Sequence, residues 1–484
     1  MNLKEIFNFI PEVKKPEEKK LSFNVKLKWT LIVLVSFFVL ANISLFGLSN
    51  NALERFKYLA IILGTDFGSI ISLGIGPIVM ASIILQLLTG SKIIEIDTTT
   101  QEGKKFFQGV QKLLVLFFII FEASVYVFMQ GLQAVAGLEY LLIFQLILGG
   151  LVIFYMDDLT QKWGFGSGVS LFIGAGVSWR LITAAFQFIN QQGNNCLLDF
   201  KNTACPGKVF VLIQAITNKY PVEFLSALAA IVVTVLIFLL VVWAQSLKVE
   251  IPLSFGRLRG YNIKWPLSFF YTSVIPVILT AALMANIQLF GGLVENAAAP
   301  CLAVDTATAG ACIGLAKFAS YFTFLGHFIE GQPVSGLAFW MGSTDILQLL
   351  IRGGFLARYL LQALTHILFF TAFSVIFAVF WIKTSGMDAK SQAHNIASSG
   401  LQISGFRQDE RVLESILERY IMPLTIMGGA TIGILASLTN LLGALVSGTA
   451  VLLVIMIMFQ FYQNIAQQHS VDMHPAMRKF MGSG

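Results

Sequence analysis

The chain has 484 residues, 56% of them hydrophobic and only 12% charged, with a mean hydropathy of +0.78. This composition excludes a water-soluble globular protein and reads as a polytopic membrane protein. The formal charge of +6 is no argument for nucleic acid, because in a membrane protein the placement of Lys and Arg matters more than their sum.

Residues 1–28 form a polar, lysine-bearing arm ahead of any long apolar run, so no cleavable signal peptide is expected. Leu3, Ile6, Phe7 and Ile10 share one helical face, which predicts an amphipathic arm lying on the cytoplasmic membrane surface. Apolar runs of spanning length then fall near 29–49, 70–89, 113–134, 138–157, 166–188, 223–245, 268–292, 358–382, 421–441 and 446–465. They predict an all-α protein with ten transmembrane helices and both termini on one side. Lys and Arg concentrate in the arm, in 90–112, 246–268 and 383–420, and in the tail 466–484. The positive-inside bias therefore places both termini in the cytoplasm. Ten spans divide into an N-terminal half (29–188) and a C-terminal half (223–465) joined by an external loop (189–222). Five spans per half invert the second relative to the first and put a pathway at their interface.

The second run, Ile70 to Thr89, is unusual because Gly74, Gly76 and Pro77 weaken its first turns. The apolar piece before it, Phe56 to Leu63, is too short to span and is set off by Gly64, Thr65, Asp66 and Gly68. Irregular backbone at membrane depth survives only where protein or a water-filled cavity surrounds it. The stretch predicts either a half-inserted segment at 53–66 followed by a spanning helix, or a helix lying flat on the outer surface.

All four cysteines fall in external loops: Cys196 with Cys205, and Cys301 with Cys312. An oxidising exterior favours a bridge within each loop, with free thiols as the alternative. Two cytoplasmic loops are long and basic. Residues 248–266 carry Lys248 and the glycine-flanked Arg257 and Arg259 at an expected hairpin tip; 383–420 carries Arg407 and Arg411. Such arginines suit a large anionic partner such as ribosomal RNA, or serve merely as topogenic charge. Arg352 and Arg358 belong either to a surface helix or to the edge of the eighth span.

Among polar residues within the spans, Gln86, Glu122 and Asn286 are the clear cases. A charge there costs about 3 kcal/mol on insertion, so Glu122 is expected to meet a polar partner or water. Enzyme chemistry finds no support. The five histidines are scattered without an HExxH pair, there is no GxSxG and no P-loop, and no cofactor or metal is expected. Asp157 and Asp158, beside Lys162 at a span end, are expected to be solvated. An ion-coupled secondary transporter of a small solute remains an alternative, thinly supported by Glu122 alone.

The runs LGIGPIVMASIILQLLTGSKIIEID, GFGSGVSLFIGAGVS, KVEIPLSFGRLRG, FFYTSVIPVILTAALMANIQL, SGFRQDERVLESILERYIMPLT and LLGALVSGTAVLL, in this order along the chain, resemble the SecY family. That family supplies the large pore subunit of the Sec protein translocase, and the match is to its archaeal and eukaryotic branch. The external loops match poorly, residues 296–360 least of all. The resemblance implies a clamshell of two five-helix halves around an hourglass pore that passes unfolded secretory polypeptides and releases membrane helices sideways into lipid. Its waist would be an aliphatic ring of Ile75, Val79, Val169, Ile173, Ile275, Ile278 and Leu453, with Val169 where isoleucine is common. A narrow apolar ring dewets and blocks ions, yet closes around any passing sequence without reading it. The plug would include Phe56, Tyr58, Leu59, Ile61, Ile62, Leu63 and Gly64. Spans two and three facing seven and eight would form a lateral gate bearing Gln86, Glu122 and Asn286. Lys248, Arg257, Arg259, Arg407 and Arg411 would dock a ribosome, or a motor ATPase in organisms that have one. Expected partners are small single-span SecE/gamma-type and Sec beta-type subunits in a heterotrimer, nascent chains with signal sequences, and lipid of the plasma membrane.

Overall fold

The computed structural model describes residues 12–17, 21–51, 67–90, 93–94, 96, 100–190, 194–198, 200, 203–255, 262–272, 275–302, 321–329, 332–398, 401–403 and 409–473. The first part of the chain contributes α1 (Phe23–Ala41), β1 (Leu48–Asn51), α2 (Gly76–Gly90), α3 (Gln101–Phe128), β2 (Leu132–Ala134), α4 (Glu139–Trp163) and α5 (Gly168–Phe186). A short helix, α6 (Lys208–Asn218), leads into α7 (Pro221–Gln245), β3 (Lys248–Phe255), β4 (Asn262–Ser268) and α8 (Ile275–Leu302). Then follow β5 (His327–Ile329), β6 (Gln332–Ser335), α9 (Leu337–Met341), α10 (Ile346–Arg352), α11 (Ala357–Ser385), α12 (Ala389–Ser398), β7 (Leu401–Ile403), α13 (Glu410–Leu441) and α14 (Gly448–Met473).

Nine helices among the described residues are long and apolar enough to cross a bilayer. The tenth expected span differs from its prediction. The helix begins only at Gly76, and its 15 residues cover about 22 Å, less than the ~30 Å hydrocarbon core. Residues 67–75 are instead a succession of tight turns: Ser72 N–H donates to the Ser69 carbonyl at 3.0 Å and Gly74 N–H to that of Ile71 at 2.8 Å. Gly74 adopts φ +54°, a conformation open chiefly to glycine. Every residue from Ile71 to Val79 is buried, so this irregular backbone lies inside protein, as membrane depth requires. Helix α4 approaches it closely enough that a Cβ on Gly149 would sit 1.9 Å from the Ile70 carbonyl oxygen.

Other predicted spans shift too: the third is helical over Gln101–Phe128 and stops short of 134, where β2 follows. The first is helical over Phe23–Ala41 and not 29–49, because Gly47 at φ +81° turns the chain into β1, which pairs antiparallel with β2. The seventh starts at Ile275, after β4 has used the residues up to Ser268, and runs on to Leu302. Cys301 therefore stands on the last turn of α8 and not in a loop; Cys312 lies outside the described residues. Cys196 and Cys205 do form a disulfide. The plug stretch, including Phe56 to Gly64, lies outside the described residues, as do Arg257, Arg259 and Arg407.

Helix contacts use small residues, since lipid gives no hydrophobic drive for helices to associate. On α13, Gly429 and Gly433 let the backbone meet α11. A Cβ at Gly433 would lie 2.8 Å from Thr371 Cα, and Ser374 Oγ donates to the Gly429 carbonyl at 2.9 Å. On the membrane flank, β3 pairs antiparallel with β4 from Lys248↔Ser268 to Ser254↔Asn262, which gives the expected hairpin. Strand β7 adds to its other edge through Leu253↔Ile403, so the two basic loops share one three-stranded sheet.

Candidate functional site

The seven aliphatic positions come from the turn before α2 (Ile75), α2 itself (Val79), α5 (Val169, Ile173), α8 (Ile275, Ile278) and α14 (Leu453). All belong to one contiguous apolar cluster. Ile75, Val79, Ile173, Ile278 and Leu453 are buried, and Val169 and Ile275 are half-buried against it. The helices that carry them are mutual neighbours: α2 packs on α8, and α14 on α5. Such a centre is deformable, because apolar contacts are non-directional and a branched side chain that rotates away breaks no hydrogen bond.

The three polar span residues are also buried: Gln86 on α2, Glu122 on α3 and Asn286 on α8. Gln86 Oε1, both carboxylate oxygens of Glu122 and Asn286 Nδ2 have no hydrogen-bond partner among the described residues. The partner expected for Glu122 is therefore missing from the described side chains. Instead the carboxylate abuts the first residue of α2, where a Cβ on Gly76 would lie 3.0 Å from Glu122 Oε2. Buried polar atoms left unpaired cost about 1–3 kcal/mol each.

A feature the sequence reading missed lies beside the aliphatic centre. Asp157 and Asp158, expected to be solvated, are buried at 6% and 9% exposure. Asp157 Oδ1 accepts the Val169 N–H at 3.0 Å and Oδ2 accepts from Gln161 Nε2 at 2.8 Å, so it caps the first turn of α5. Asp158 Oδ2 pairs with Lys162 at 2.8 Å and accepts the Val13 N–H at 3.0 Å. Glu12 reaches Lys112 on α3 at 2.6 Å and Lys162 at 3.3 Å. Trp163 Nε1 donates to the Lys14 carbonyl at 2.9 Å. The end of the N-terminal arm is thus tied to α3 and α4. The hydrogen bond from Lys112 holds the Glu12 carboxyl below its ordinary value of 4.5, against the upward push of partial burial. The sequence offered only the i, i+4 spacing of Asp158 and Lys162 as a signal.

At the docking positions, Lys248 opens β3 and Arg411 stands in the first turn of α13, where Asp409 accepts its N–H at 3.0 Å. Arg358 opens α11, donates to the Val334 carbonyl at 3.1 Å and lies 4.7 Å from the centroid of Phe339. Arg352 closes α10, a short helix apart from the spans.

Two helix sets packed around an aliphatic centre, with buried irregular backbone at its edge, define a polytopic helical membrane protein of channel type. The SecY family model matches residues 69–462. The protein translocase subunit SecY of Methanothermobacter thermautotrophicus is 40% identical, covering 99% of this chain and 98% of its own. A solved protein-conducting channel superposes with a TM-score of 0.78 at 34% identity, covering 98% and 99% of the two chains. Sec61 in the canine ribosome–channel complex gives 0.75, also at 34% identity, covering 98% and 99%. The chain belongs to the SecY family. It is a protein-conducting channel subunit, and the transporter alternative is set aside.

Proposed function

We propose that Ile75, Val79, Val169, Ile173, Ile275, Ile278 and Leu453 form the closable waist of the channel, through which unfolded polypeptide passes while ions are held back. What supports this reading is that residues so far apart in sequence all belong to one contiguous apolar cluster and stand on helices that pack on one another. The waist needs no polar group to recognise a substrate, which suits cargo of any sequence. Residues 53–66 act as the plug beneath it.

Helices α2 and α3 on one side and α8 and α11 on the other form the lateral gate. Unpaired atoms on Gln86, Glu122 and Asn286 weaken the closed packing, so an apolar nascent segment of ~20 residues competes against a contact already short of ideal. The β4–β3–β7 sheet joins the strands that flank both basic loops, and Lys248, Arg257, Arg259, Arg407 and Arg411 dock a ribosome, the partner of the related canine channel. Both termini are cytoplasmic, the membrane is the plasma membrane, and small SecE/gamma-type and Sec beta-type subunits complete the complex.

A precursor stalled mid-passage, carrying a photocrosslinker at its membrane midpoint, tests the waist. The expected adducts fall on Ile75, Ile278 and Leu453. Adducts confined to lipid-exposed positions such as Val35 or Leu236 contradict it.

A further inference from the structure

The connection from α5 to α7 is braced far beyond what joining two helices requires. Besides the Cys196–Cys205 disulfide, Gln214 on α6 spends its amide on the same loop. Its Nε2 donates to the carbonyls of Phe200 at 2.8 Å and Thr203 at 3.0 Å, and its Oε1 accepts the Cys205 N–H at 3.3 Å. At the start of α6, Gly207 N–H donates to the Gln187 carbonyl at 2.9 Å, and a Cβ there would lie 2.7 Å from that oxygen. Lys219, in the left-handed region at φ 57°, then folds α6 back against α7.

This bracing fixes which face of α6 looks outward. Ala215 is buried and Gln214 is consumed by the loop, while Ile213 and Ile216 are exposed at 45% and 59%. Leu198 in the bridged loop is 87% exposed. Loops seldom hold branched apolar side chains rigidly in water without an occupant for them.

Three observations indicate what covers this face. Helix α6 packs along the start of a membrane span, linked through Lys219 and Tyr220 alone, so it cannot stand away from the bilayer edge. Exposed apolar side chains also stand on the neighbouring spanning helices, Phe186 at the end of α5 and Leu225 at the start of α7. Lys208 and Lys219 bracket α6 at its two ends, where ammonium groups can pair with lipid phosphates. We infer that α6 and the disulfide-bridged loop form an interfacial platform seated in the headgroup region of the bilayer, with Ile213, Ile216 and Leu198 toward the acyl chains. The platform anchors the adjoining ends of α5 and α7, and it stands independently of the roles proposed for the waist and gate.

The test places p-benzoylphenylalanine at Ile216 and, separately, at Leu198 in the intact membrane-embedded protein, with exposed Asn194 of the same loop as reference. After illumination, adducts are separated into lipid and polypeptide products. The expected result is a phospholipid adduct at Ile216 and Leu198 several-fold more abundant than at Asn194. Lys208→Glu with Lys219→Glu should lower the anionic share of those adducts several-fold. Blocked thiols at Cys196 and Cys205 after unfolding report that the bridge, and with it the loop, is intact in each variant. A polypeptide adduct as the main product at Ile216, whether with a subunit or a second copy, overturns the inference. So does equal lipid labelling at Ile216 and Asn194.

Discussion

The aliphatic positions and the charged cluster that joins α3 to the end of α4 meet at Val169 and are built on opposite principles. The Val169 side chain faces the apolar cluster, while its N–H is held by Asp157. On one side of that peptide the contacts are non-directional and interchangeable; on the other they are charged, short and specific. The proposed waist, which opens for cargo and reseals, calls for contacts other than hydrogen bonds, since a passing chain would break or compete for those. Asp157 fixes the first turn of α5, which carries Val169 and Ile173, while Asp158, Lys112, Lys162 and Glu12 tie the arm to α3 and α4.

This contrast is most strongly challenged at Lys162. Lys162→Ala leaves the buried Asp158 carboxylate with the Val13 N–H at 3.0 Å and a 3.9 Å contact to Lys112 as its remaining partners. Breaking a buried pair costs about 3–5 kcal/mol, so a marked drop in the thermal unfolding midpoint of the purified protein is expected. Next, Gly149→Ala drives a methyl into the Ile70 carbonyl. Overpacking of this kind costs about 1–3 kcal/mol, and the same unfolding assay should show it. A smaller effect is expected inside the centre, where Ile173→Val removes one methylene and costs about 0.5–1.5 kcal/mol without abolishing the seal to ions. A stability loss at Ile173 equal to that at Lys162 would erase the distinction between the two regions.

The mildest perturbation is acid. The folded carboxyl of Glu12 titrates below its ordinary 4.5, so its contribution is fully present above that value and is lost as pH falls through the lower folded value. Residues 12–17 should therefore become protease-accessible only below about pH 4.5, and Glu12→Gln should expose them at neutral pH. Accessibility that stays unchanged as pH falls from 7 to well below 4.5 would remove Glu12 from the contacts that hold the arm.

Hydropathy located the spans because ~20-residue apolar runs have few other uses. It misplaced their ends where glycine or a strand intervened, at Gly47, at Gly74 and between Ser268 and Ile275. Composition could not separate Ile75 or Ile278 from ordinary core packing, since a ring and a core use the same residues; only the resemblance pointed to them. Asp157 and Asp158 were misread because their cover comes from distant parts of the chain, the arm at Glu12–Lys14 and the start of α5. The pairing of β7 with β3 was equally hidden, because three residues, Leu401–Ile403, carry no periodicity that names a partner roughly 150 positions away.

The most direct measurement is the ionic conductance of single channels in planar bilayers, without cargo, comparing the parent with Ile75→Ser, Val79→Ser and Ile278→Ser. Polar side chains at a dewetted constriction admit water, so the substituted channels should leak ions while the parent stays closed. Parent-like tightness in all three, with the proteins folded and inserted, would contradict an aliphatic waist at these positions.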